Sequence, residues 1–297
     1  MSAPIVVGFD PDGADDAPVQ FGIAAARYTG APLIVAVVHR GHPEAGDSLE
    51  RVRTRLADEP GVSSELLPLE SHNAARGLTD ALEEADAGLG VVGATSRGAV
   101  GRAIIGSTAD RVIHNARCPV AVVPHGFNGG ELRSVGVAYT PAEGQEALRS
   151  AVVLAHAAGA ALRVITVLHE EIGTLGSNRE GARAMQQLPE QMASQHHVAA
   201  RAAVDAALAE ADAQLDSEVE LVYGDPAESL LGFTSALDLL VMGSRARAPR
   251  RAVMLDSVSR HVIAASKCPV VVLPRGAEHP LRDLIASRGT PPSTKSL

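Results

Sequence analysis

Residues 93 to 107 read GATSRGAVGRAIIGS, with a glycine at each end, small side chains between, and a serine closing the run. A loop of this make-up can hold phosphate. Glycines let the backbone approach an anion closely. A serine at the start of a following helix offers a hydroxyl and can cap that helix, whose free N–H groups and partial positive charge favour anions. Glycine spacing alone leaves two readings open, a phosphate cradle or a plain turn. The run has no GK[ST] ending, which sets it apart from the P-loop. Nor does it follow the first strand, where a G-x-G-x-x-G dinucleotide fingerprint belongs.

The elements around this loop would put it in the right place. It follows the short apolar run LGVV and precedes a helical pattern beginning around Ser107. In a parallel sheet, the C-terminal ends of strands and the N-termini of helices meet at the ligand crevice. Further runs of strand length are IVVGF, LIVAVV, ELLPL and VAVV. Between them, Leu49, Val52 and Leu56 share one helical face, and Leu78, Leu82 and Ala85 share another. Strands alternating with helices imply parallel βαβ units with right-handed crossovers.

This order occurs twice in the 297 residues. A shift of 150 lays residues 93–124 over 243–274 with ten of thirty-two positions identical, where composition alone gives about two or three. Upstream, IVVGFDP lies over VGVAYTP (135–141), and GAPLIVAVV over GAALRVITV (159–167). Leu148, Val152 and Ala155 mark the first helix of the second copy. The second copy is longer between its second and third strands, where residues 177–215 read as helix interrupted near Pro189. His196 and His197 lie in this insert without a carboxylate or Cys at ligand spacing, so solvated helix surface is expected rather than a metal site. The seam falls near HGFNGGELR (125–133), and the tail from residue 277 is expected to be loose.

Composition limits the class of protein. Aromatic residues make up 2% of the chain against 46% hydrophobic, so the cores must be built from Ala, Val, Leu and Ile. A net charge of −9 argues against a general nucleic-acid or anionic-membrane partner. No apolar run approaches the ~20 residues of a membrane helix, and the start MSAPIVVGFD has no signal-peptide pattern, so a cytoplasmic protein is expected. Cys118 and Cys268, each in a CPV triplet, are expected as buried thiols of a reducing compartment rather than a disulfide.

The strand IVVGFD with its acidic end, the glycine-rich loop after the fourth strand, and the closing CPVAVVP together resemble the universal stress protein family. Its nucleotide-binding members carry G-x-x-G, nine residues, then G-[ST]. Here Gly93 is in place, Ser96 stands where the second Gly is usual, and Gly106-Ser107 closes the motif. The resemblance implies an α/β fold of two tandem Rossmann-like domains, over 1–126 and 132–275 with a flexible tail (276–297). Each would be a five-stranded, mainly parallel sheet flanked by helices, and the two would form a pseudo-dimer through their closing strands. It also implies ATP as ligand, with or without Mg2+. Asp10 would meet the ribose or adenine, and the Val38 backbone would read the adenine edge. Val92 and Gly93 would line the nucleotide, while Ser96, Gly106, Ser107 and Thr108 would face the phosphates. Arg97 and Arg102 are either electrostatic helpers or solvated loop residues.

The second copy departs from the pattern. Thr140 stands at the Asp10 position, Ala246 at Ser96 and Asp256 at Gly106. A carboxylate where phosphate should sit predicts a weak or empty second site. Arg245, Arg247, Arg250 and Arg251 either offset that charge or form a solvated cluster. No catalytic constellation is recognisable, since Asp10 is the one acidic candidate at the first site, and His39, His114, His169 and His261 read as surface or helix residues. The expected function is an ATP-binding, nucleotide-dependent stress-response or regulatory protein meeting an unidentified protein partner. A scaffold without nucleotide and a slow ATPase are the alternatives, and assembly into a homodimer stays open.

Overall fold

The computed structural model describes residues 2–11, 15–39, 47–94, 105–141, 143–168, 190–211, 215–244, 255–274 and 281–285. The first half contains β1 (Ile5–Phe9), α1 (Ala17–Thr29), β2 (Leu33–His39), α2 (Asp47–Ala57), β3 (Ser64–Glu70), α3 (Ala74–Glu84), β4 (Leu89–Gly93), α4 (Ser107–Asn115) and β5 (Val120–Val123). The second half contains β6 (Ser134–Ala138), α5 (Gln145–Ala158), β7 (Ala161–Leu168), α6 (Glu190–Glu210), β8 (Ser217–Tyr223), α7 (Pro226–Phe233), β9 (Leu239–Gly243), α8 (Ser257–Ala265) and β10 (Val270–Leu273), followed by α9 (Arg282–Ile285).

The apolar runs become strands because helices cover both faces of the sheet, so neither face needs polar residues. One core layer holds Val7, Val35 and Val91 of the sheet with Phe21 and Val52 of the helices, and the other holds Val6, Ala36 and Val92 with Leu78 and Val112. Helix α1 lies so close that a Cβ on Gly22 would stand 2.4 Å from a Val7 methyl, which makes glycine obligatory there. At its C-terminus Gly30 adopts φ 73°, the left-handed cap that ends α1 before β2.

All ten strands form one sheet in the order β3-β2-β1-β4-β5-β10-β9-β6-β7-β8. Each half is a parallel 3-2-1-4-5 arrangement, and the two are Rossmann-like domains joined by the antiparallel β5–β10 pair. The register is Val122↔Val270, Ala121↔Val271 and Val120↔Val272. Ala121 and Val271 are the same position in the two copies, so a pseudo-two-fold axis passes between them. The chain thus contains the isologous contact that two subunits of a dimer would make. Pairing at the axis removes two edges, leaving β3 and β8 as the outer strands, with Pro68, Glu65, Glu218 and Glu220 among their residues.

A second contact lies across the same axis. Arg260 Nη1 donates to Asp110 Oδ1 at 2.7 Å, and Arg260 Nη2 lies 3.2 Å from His114 Nε2. Asp110 and Arg260 are again equivalent positions of the repeat. In a symmetric dimer of either copy this position would face its own charge; in the duplicated chain it faces the opposite one.

Several segments are more ordered than their composition suggests. The glycine-rich seam is pinned by Tyr28, whose hydroxyl accepts from Leu132 N–H at 2.7 Å and donates to the Gly130 carbonyl at 3.3 Å. Phe127 packs edge-to-face on Phe21 with centroids 6.0 Å apart. Part of the tail expected to be loose is packed too. Leu281 and Leu284 are 1% and 0% exposed, because two leucines of one turn find an apolar surface beside α5 and Gly88. Residues 286–297 and the stretch around Pro189 lie outside the described residues. Helix α6 accounts for the longer β7–β8 connection and leaves His196 and His197 exposed. Ala85 is the C-cap of α3 and, partly buried, packs against the same core layer as Leu78 and Leu82.

Candidate functional site

The order of each half reverses between its first and fourth strands, and the strands part there. Pairing of β1 with β4 ends at Val7↔Val91. Beyond it, β1 runs on beside β2 to Phe9↔Val37, and β4 runs on beside β5 to Gly93↔Val123. The crevice opened at these C-terminal ends is the usual ligand position of an open α/β sheet. Asp10 follows β1 and is exposed; Val38 is half-buried, one residue past the last β1–β2 pair. Val92 is buried at the end of β4 and Gly93 half-buried. Among the described residues, a Cβ on Gly93 would meet Pro18 at 3.4 Å.

The glycine-rich loop is closed at its base. Ala94 donates its N–H to Val123 at 2.8 Å and accepts from Gly106 N–H at 2.8 Å. The start of α4 is thereby fixed beside the end of β4, with Gly93 and Gly106–Thr108 on one side of the sheet's C-terminal edge. Ser96, Arg97 and Arg102 lie outside the described residues. Ser107 does not cap the helix as its residue type suggests. Gly106 holds the cap position with φ −59° and ψ 144°, and Ser107 is the first helical residue. A glycine cap has no side chain to accept from the first-turn N–H groups, and no side chain among the described residues caps α4. Those donors, with the exposed Ser107 and Thr108, form an electropositive rim. The one carboxylate of that turn, Asp110, is engaged by Arg260.

The equivalent crevice in the second half has the same backbone and the opposite chemistry. Pairing of β6 with β9 ends at Val137↔Val241, the counterpart of the split between β1 and β4. Asp256 caps α8, its Oδ1 accepting from Ser259 N–H at 2.7 Å. The protein's own carboxylate therefore occupies the helix N-terminus whose counterpart in the first half no described side chain caps. Thr140, Glu143 and Asp256 all line this crevice, which holds about 410 Å³ counting its open side, so it carries two carboxylates. Gly144 is obligatory at its floor, since a Cβ would stand 2.6 Å from Thr140 N and from the Tyr139 ring. Burial, with Glu210 nearby, pushes the Tyr139 phenol up. Ala246 and the arginines Arg245, Arg247, Arg250 and Arg251 lie outside the described residues.

Among the described residues, no group of three or more His, Cys, Asp or Glu could hold a metal ion, and no helix is long and apolar enough to cross a membrane. Cys118 and Cys268 are free thiols, half-buried and buried, and burial pushes both up to about 11. His114 touches Asp110 and Arg260, His261 lies 3.7 Å from Glu228, and His39 keeps a buried Nδ1 without a partner; His169 lies outside the described residues. Residue types alone did not single out the Ala94 carbonyl, which acts through its backbone. Arg260 could have been found from the repeat, where an acid and a base share one position.

Fold and crevices define a tandem α/β protein of the Rossmann-like class, with one switch-point crevice per half. The universal stress protein family matches residues 1–124 and again 131–274, and the chain belongs to that family. Similar solved structures span nearly the whole chain. A functionally unknown protein from Pseudomonas aeruginosa PAO1 is 16% identical with a TM-score of 0.70, covering 96% of this chain and 95% of that one. A putative universal stress protein from Pseudomonas aeruginosa UCBPP-PA14 is 16% identical with a TM-score of 0.69, covering 96% of each. A universal stress protein from Archaeoglobus fulgidus DSM 4304 is 19% identical with a TM-score of 0.59, covering 93% of this chain and 100% of that one. At these identities the likeness concerns the fold. No curated protein matches the chain.

Proposed function

We propose that the first crevice binds ATP, with or without Mg2+, at one site per chain, and that the second crevice binds none. The observation carrying this reading is the contrast at the two helix starts, Gly106 without a side-chain cap and Asp256 capping with a carboxylate. In the first crevice, the N–H groups of Ser107 and Thr108 with their hydroxyls would meet the phosphates, beside Gly106 and Ser96. Val92 and Gly93 would line the nucleotide, Val38 would meet the base through its backbone, and Asp10 would hold the ribose or base. ATP brings an anionic chain of three phosphates; this chain's residues bind and orient it. The protein then acts in the cytoplasm as a nucleotide-dependent stress-response or regulatory protein, since a ligand shifts a conformational equilibrium by its difference in affinity between the states.

A scaffold that has lost nucleotide binding has its precedent within the molecule, in the Asp256 cap. Purification without added nucleotide, denaturation, and mass spectrometry of the released small molecules separate the two readings. Release of ATP, at a yield approaching one per chain, is expected. Absence of nucleotide, followed by no uptake of added ATP, would reject the reading in favour of the scaffold. Unchanged slow turnover in Asp10→Asn would remove Asp10 as a catalytic base.

A further inference from the structure

A cavity lies on the face of the sheet covered by α1 and α5, apart from both crevices. It is framed by α1, the seam 127–132, α5 and the C-terminal helix α9, and counting its open mouth it holds about 700 Å³. Leu89 and Leu239, equivalent residues of the repeat, both line it, so it straddles the axis. Its body is apolar: Phe21 and Phe127 with their edge-to-face rings on one side, Leu154, Leu281 and Leu284 on the other.

Among the described residues of its lining, the charged ones are Asp238 and Glu131, both acidic. The Asp238 carboxylate is fixed in place, its Oδ2 accepting from the N–H groups of Arg133 and Ser134, both at 2.9 Å. Glu131 is paired with Arg133 at 2.8 Å, outside the lining, which leaves Asp238 as the less compensated charge. Asymmetry between the copies produces this arrangement. The position that is Asp238 in the second half is Gly88 in the first, where a Cβ would stand 2.8 Å from a Leu284 methyl. One copy thus admits the C-terminal leucine, and the other places a carboxylate at the mouth.

We propose that this cavity is a second ligand site, taking a small amphiphile with an apolar or aromatic body and a protonated amine head. The apolar lining removes the body from water, and the head pairs with Asp238. An anionic amphiphile of the same shape would bring like charge to the same carboxylate and is rejected. The site is independent of the nucleotide crevice and of any reading of it.

The test uses the full chain and three isosteric probes, 4-phenylbutylamine, 4-phenylbutanol and 4-phenylbutyrate, titrated by ligand-observed NMR and calorimetry. Saturable one-to-one binding of the amine, roughly tenfold tighter than the carboxylate and with the alcohol between, is expected. Ala25→Trp, which puts an indole into the cavity, should abolish amine binding while the far-UV spectrum and melting temperature are kept. Asp238→Asn retains an acceptor for Arg133 and Ser134, and should bring the amine down to the affinity of the alcohol. This second variant keeps the test decisive if the first fails to fold. Equal binding of amine and carboxylate, no saturable binding of any probe, or an amine affinity unchanged in Asp238→Asn would overturn the proposal.

Discussion

The two crevices of this chain share backbone, strand order and helix placement, and differ at the residue that begins the following helix. Gly106 leaves the start of α4 without a side-chain cap; Asp256 fills the start of α8 with a carboxylate hydrogen-bonded at 2.7 Å. An N-cap carboxylate stabilises its own helix, by about 0.5–2 kcal/mol relative to an alanine. The same group is the wrong charge for a phosphate. The Asp256 cap gives α8 a side-chain hydrogen bond that Gly106 does not give α4. Under the proposed reading, the same carboxylate closes the second helix terminus to anions while the first stays available.

That comparison supposes that the halves are one folded unit, which a change at the axis should break. Val271 is 1% exposed and paired with Ala121. Val271→Asp would bury an unpaired carboxylate at the join, and a loss of about 3–5 kcal/mol is expected, lowering denaturant midpoints for probes in both halves together. Two separate transitions, with the first half unaffected, would show that the copies fold independently.

A smaller effect is expected from the charge pair across the axis. Arg260→Asp sets two acids against each other where the repeat now sets an acid and a base. The pair is partly exposed, so a loss of about 1 kcal/mol is expected, shrinking in high salt. Lysine at Arg260 should recover most of it. No change in stability between low and high salt would remove this contact from the account.

Smaller still is the cost of the cap itself. Asp256→Gly should lower stability by only a few tenths of a kcal/mol, because glycine is a tolerated cap. It copies the first crevice's helix start into the second, and weak uptake of ATP by the second half is the expected gain. That gain stays modest, since Thr140 and Ala246 still differ from Asp10 and Ser96.

The smallest effect is an acid-side one that marks the first half. The hydrogen bond from Arg27 holds the Glu59 carboxyl below its ordinary range. A lowered folded-state value contributes stability above the unfolded value and loses it as pH falls through the folded one. The difference in melting temperature between the native chain and Glu59→Gln should therefore be full at neutral pH and shrink progressively as pH falls below ~4. A difference that persists at pH ~3 would assign it to packing.

Much of the fold was legible because a parallel sheet covered on both faces writes itself as apolar runs, and because the repeat at a shift of 150 showed which runs correspond. The pairing of the closing strands PVAVV and PVVVL was implied by the family resemblance, and the repeat placed both strands in one chain. Other features depended on contacts that composition does not encode. The seam reads as a glycine-rich linker, yet one hydroxyl of Tyr28, about a hundred residues away in sequence, pins it. Leu281 and Leu284 are too few to show a period, so their burial was invisible in a polar tail. At the site, Asp256 was identified as a misplaced charge from the motif alone, whereas its role as a helix cap needed the geometry. Ser107 misled for the converse reason: the better capping residue type stands one place inside the helix, and Gly106 takes the cap.

The central claim is that Gly106 and Asp256 decide which half takes nucleotide. Calorimetric titration of ATP into the native chain and into Gly106→Asp tests it most directly. One site per chain is predicted for the native protein. In the variant, affinity should fall about a hundredfold or more, equivalent to roughly 2.7 kcal/mol of lost binding. Two equal sites in the native chain, or an affinity unchanged by Gly106→Asp, would contradict it.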